Sequence, residues 1–89
     1  MTSKHKTKLQ IDLEKYIADI NPMHLVIGTD TEYEPEVEMF LNAVHDSMNE
    51  DELINVVRQV FIKMFNIDDD SAFVESFKMI VREYLRLKE

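Results

Sequence analysis

The stretch TDTEYEPEVE, Thr29 to Glu38, carries an acid at every second position: Asp30, Glu32, Glu34, Glu36 and Glu38. Period two marks a strand with one charged face, or a row of metal ligands. The residues that follow decide against the strand. Past Pro35 the apolar positions are Val37, Phe40, Leu41, Val44 and Met48, at intervals of 3, 1, 3 and 4, which is the spacing of one helix face. Proline is tolerated in a first helical turn, where its missing N–H would have had no intrahelical partner. Acids there interact favourably with the positive end of the helix dipole, by ~0.3–1 kcal/mol each when exposed. The reading is a helix near 34–48 that begins with Glu34, Glu36 and Glu38, with Asp30 and Glu32 in the loop before it.

Three more helices follow by the same argument. Leu9, Leu13, Tyr16, Ile17 and Ile20 define an apolar stripe near 8–20, ended by Asn21-Pro22. Asn49-Glu-Asp-Glu52 has the capping-box form, and Leu53, Val56, Val57, Val60, Phe61, Met64 and Phe65 give a broad apolar face near 50–65. One of Asp69, Asp70 or Ser71 is expected to cap a helix near 70–87, whose stripe is Phe73, Val74, Phe77, Ile80, Val81, Tyr84 and Leu85. Arg82, Arg86 and Lys88 sit in its final turns, where cations suit the dipole. Residues 21–33 read as an irregular loop that dips Met23, Leu25 and Ile27 onto the helices. Gly28, the one glycine, eases its backbone.

The expected fold is therefore all-α, a compact four-helix domain spanning 1–89 with a frayed basic end at 1–7. Eighty-nine residues, 45% hydrophobic, suffice for one core and not two. One Gly and two Pro leave too little turn chemistry for a sandwich or barrel. The absence of cysteine excludes disulfides and thiolate chemistry. No apolar run reaches the ~18 residues of a membrane span, and the N-terminal lysines lack a following apolar segment, so a cytoplasmic location is expected.

The net charge of −8 is unevenly placed: from Tyr16 to Val57 there is no Lys or Arg, and ten acids fall in that interval. A face of that kind repels phosphate backbones, and either attracts a basic partner or cations or is a solvated surface that keeps a small protein soluble. Tyr33, ringed by acids beside a rigid helix start, is a candidate interface anchor. The alternative is that it folds back on helix two as a staple while the acids solvate the loop. The candidate partner-binding residues are thus Asp30, Glu32, Tyr33, Glu34, Glu36 and Glu38.

Asn21-Pro22, Ile27-Gly28, Tyr33-Glu34 with Glu36, Ala43-Val44 and the Phe61…Phe65 pair resemble the YugE-like family of small helical bacterial proteins of unknown function. The resemblance spans roughly Leu9 to Leu87. Where the family pattern has Trp and Asp before the proline, this chain has Ile20 and Asn21, and Pro35 is also unusual for it. The resemblance implies a compact helical fold and brings no catalytic residues.

Catalytic and metal chemistry find little support. Asn66-x-Asp68-x-Asp70 copies the first ligands of a calcium loop, but Ser71 and Phe77 stand where the loop needs Gly and Glu. His5, His24 and His45 make no zinc motif, although His24 and His45 could meet in space. The six methionines read mainly as core filling. The expectation is a protein without enzymatic activity, metal or cofactor: an interaction or regulatory module whose protein partner has a basic surface. The alternative is an immunity- or antitoxin-type inhibitor that blocks a nuclease or another basic toxin.

Overall fold

Thr7 begins the first helix by accepting the Gln10 backbone N–H on its hydroxyl at 3.1 Å. The computed structural model describes residues 7–23 and 33–89. Among these, the helices are α1 Lys8–Ile20, α2 Glu34–Ala43, α3 Glu50–Phe65 and α4 Val74–Lys88, with a 3-10 turn at Ser71–Phe73 leading into α4. No strand occurs among the described residues. Each helix packs against two others, α1 and α3 both against α2 and α4, so the four surround one core in chain order.

Two boundaries differ from the sequence reading. α2 ends at Ala43 and not near 48, and Val44 is extended, with φ −90° and ψ 155°. A helix to 48 followed by one from 50 would leave a single residue to reverse the chain, whereas helix–helix connections take 2–8. Residues 44–49 make the reversal, and Val44 and Met48 still pack against the core from outside the helix. α4 begins at Val74 because the 3-10 turn intervenes: the Asp69 carboxylate accepts the Ser71 N–H at 3.0 Å, and the Phe73 N–H reaches the Asp70 carbonyl at 2.9 Å. The capping box before α3 is present as expected, with Asn49 accepting from Glu52 N–H at 2.8 Å and Glu52 from Asn49 N–H at 2.9 Å.

α1 and α3 both end on an asparagine in the left-handed region, Asn21 at φ 46° and Asn66 at φ 53°. After Asn66, the Ile67 N–H returns to the Ile62 carbonyl at 3.2 Å, the long bond of a Schellman cap, and Ile67 packs against the core. This segment thus serves helix termination. Asp70 is not available as a cation ligand either, since it holds Arg58 at 2.5 Å. Asparagine tolerates the left-handed region better than a residue with an ordinary Cβ. Asn66→Ala is expected to lower stability by roughly 1 kcal/mol, and Asn66→Gly to leave it within a few tenths. Urea midpoints that move equally in both variants would remove this account.

The core contains the stripe residues, among them Leu13, Ile17, Val37, Phe40, Leu53, Val57, Phe61, Phe77, Ile80, Val81 and Tyr84. Aromatic rings gather where α3 ends and α4 begins: Phe61 lies 5.7 Å from Phe65 and 5.5 Å from Phe77, and Phe73 lies 6.4 Å from Phe77. A separate pair, Phe40 and Tyr84, meets edge-to-face at 5.0 Å. Met39 and Met48 fill gaps beside the core, whereas Met64 and Met79 are exposed, contrary to a uniform core role for the methionines.

Candidate interaction surface

The ring of Tyr33 is fully buried, at 0% exposure. It stacks on Phe61 at 6.1 Å and lies tilted against Phe65 at 6.3 Å. Its hydroxyl donates to Asn21 Oδ1 at 2.7 Å and accepts the Met23 backbone N–H at 3.1 Å. An aromatic already buried on both faces has no area left to place against a partner, which corrects its reading as an exposed anchor. It joins the start of α2 to the end of α3 and to the residues that follow α1.

The periodicity accounts for this position. Tyr33, Glu36, Val37 and Phe40 stand at i, i+3, i+4 and i+7, one continuous helical face, and all four are buried. The core stripe of α2 therefore starts one turn before Val37 and includes a carboxyl. Glu36 is 5% exposed, and its Oε1 has no hydrogen-bond partner among the described residues. Loss of hydration raises its pKa above the ordinary value of 4.5, opposed by its own backbone N–H. Glu36 is thus not part of an exposed acidic row. Glu34 and Glu38 are half-buried and engaged in other interactions. Asp30 and Glu32 lie outside the described residues, as does His24 and hence any meeting with His45.

The rest of the base-free interval is distributed differently. Asp46 lies in the turn before α3, and Glu50, Asp51 and Glu52 form the first turn of α3; all four are exposed. The sequence interval lacks cations, yet the folded surface does not, because α4 returns two. Lys88 Nζ bonds Asp46 Oδ1 at 3.1 Å and lies 5.1 Å from the centre of the Tyr84 ring, and Arg82 Nε is 3.6 Å from Glu50. Asp46 remains 98% exposed within its pair, so the contact leaves its carboxylate in water. Asp51 is also open to solvent, whereas Glu52 spends one oxygen on the cap.

Four other cations among the described residues are likewise paired with neighbours: Lys8 with Asp12, Lys78 with Glu75, Arg86 with Glu83, and Arg58 with Asp70. The Arg58 hydrogen bond holds the Asp70 carboxyl below its usual range. These contacts orient the surface and add little stability singly. No cluster of three or more metal-ligating side chains occurs among the described residues, and no described helix is long and apolar enough to cross a membrane. No family model, curated protein or solved structure matches the chain.

Proposed function

We propose that the protein is a non-enzymatic interaction module that binds a protein partner with a basic surface. The reading rests on one observation: Asp46, Glu50, Asp51 and Glu52 lie exposed together at the α2–α3 corner, with only Arg82 and Lys88 reaching them among the described residues. In a chain of net charge −8, such a corner attracts a lysine- or arginine-rich surface and repels phosphates. Membership of the YugE-like family belongs to the same proposal, as a compact helical scaffold with no catalytic residues.

Exposed carboxylates act mainly on encounter, so charge removal should change association more than dissociation. The test uses the double variant Asp46→Asn with Asp51→Asn, which spares the capping box and the Arg82 contact. The immobilised wild type is expected to retain a basic protein from its own cell extract and to release it with salt. Against the purified partner, the variant should associate more slowly and with a weaker salt response, while it stays folded and loses only the ~0.3–1 kcal/mol of the Asp51 dipole interaction. Equal association rates at low salt would move the binding face away from this corner. A captured nuclease that loses activity on mixing would specify the module as an inhibitor.

A further inference from the structure

Glu36 brings a carboxyl into the buried stripe of α2, in its first turn, with Oε1 unpartnered among the described residues. A buried polar atom without a hydrogen bond carries its full desolvation cost, and a charge carries more than a neutral group. α2 packs against α1 and α3, and meets α4 where Phe40 touches Tyr84, the titratable residue that α4 brings to this face. On α1 the buried charged group is Glu14, whose Oε2 accepts from Gln10 at 3.1 Å. On α3, Arg58 is held by Asp70 and Lys63 is exposed. Glu34 and Glu38, on α2 itself, are half-buried and engaged. What acts on Glu36 is desolvation and its own backbone N–H, with no neighbouring cation among the described residues to offset ionisation.

We propose that Glu36 is a protonation-controlled latch on the first turn of α2. With the proton on, the turn seats against α1 and α3. With the proton off, the turn opens far enough to hydrate the carboxylate, taking the start of α2 out of the core. The device is independent of the interaction reading and stands without it.

The sign follows from linkage. In the open turn Glu36 titrates near its ordinary value of 4.5, and in the seated turn above it. The stabilisation of the seated turn is fully present below 4.5 and is lost as pH rises through the seated value. Between the two values the opening constant grows by up to about tenfold per pH unit, and above the seated value it is level.

The experiment is amide hydrogen exchange by NMR across that range, corrected for intrinsic rates, on the wild type and Glu36→Gln. The reporter is the Val37 N–H, bonded to the Tyr33 carbonyl at 3.0 Å, with amides in the middle of α4 as reference. Protection at Val37 relative to α4 is expected to fall by up to about tenfold per pH unit above 4.5 in the wild type and to stay flat in the variant. A carbon-13 titration of the Glu36 carboxyl in the wild type should give a midpoint above 4.5, and this holds as a test even if the variant fails to fold. A midpoint at or below 4.5 overturns the latch. So does the same pH dependence in both proteins, or loss of protection in α2 and α4 together.

Discussion

Tyr33→Ala is expected to destabilise the fold by ~3–5 kcal/mol, the range for truncating a buried aromatic. Small domains have about 5–15 kcal/mol in all, so the variant should lose a large share of its stability. Two losses combine. The cavity lies against Phe61 and Phe65, whose rings are part of the packed cluster at the end of α3. The Met23 N–H and Asn21 Oδ1 also lose the hydroxyl that joins the residue capping α1 to the start of α2. Tyr33→Phe separates these terms: it keeps the ring and should cost only about 1–2 kcal/mol. Urea unfolding measures both. A Tyr33→Ala midpoint within error of the wild type would mean that the ring is not a structural element and would restore it as a surface residue.

The sequence leaves Tyr33 open between an exposed anchor and a residue folded back on α2. Forward from Pro35, which marks a helix start, the first apolar member of the helical face is Val37. Counting one turn backward adds Tyr33 at i−4 from Val37, and Glu36 then falls inside the same face. The signal was present, but a glutamate at a core position is rare enough that the acidic alternation dominated. Periodicity was sufficient in α3 and α4, where a side chain's own helix decides its burial, and the Asn49…Glu52 capping box is a local motif that needs no tertiary knowledge. The end of α2 was not legible in that way. Val44 and Met48 continue the helical spacing and do reach the core, yet they do so from a chain reversal imposed by the need to run α3 back along α2. The surface charge was the least legible feature. Arg82 and Lys88 lie more than thirty residues beyond Glu50 and Asp46, and only the packing of α4 on α3 brings them to that corner. A charge interval in sequence is a statement about a surface only after the fold has shown which helix ends meet.

Phe61→Ala carries the second large expected effect, ~3–5 kcal/mol, because Phe61 contacts Tyr33, Phe65 and Phe77 at once. The size alone would not distinguish a specific ring cluster from any filled core, so the informative experiment is a comparison of pairs. Phe61→Leu and Phe77→Leu retain most of the volume and remove the ring contact at 5.5 Å. Their double variant should therefore be less destabilised than the sum of the singles, by about 0.5–1.5 kcal/mol, the worth of an aromatic pair beyond its buried area. Phe61→Leu combined with Phe40→Leu is the control. Phe40 pairs with Tyr84 and not with the Phe61 cluster, so that double variant should be additive within roughly 0.5 kcal/mol. Coupling of the same size in both cycles would indicate a core that relaxes as a whole, and the two ring groups would then be one packing unit. Coupling confined to Phe61 with Phe77 would establish two separable aromatic locks: one joins the end of α3 to α4 and, through Tyr33, to the end of α1, and the other joins α2 to α4 at Phe40 and Tyr84.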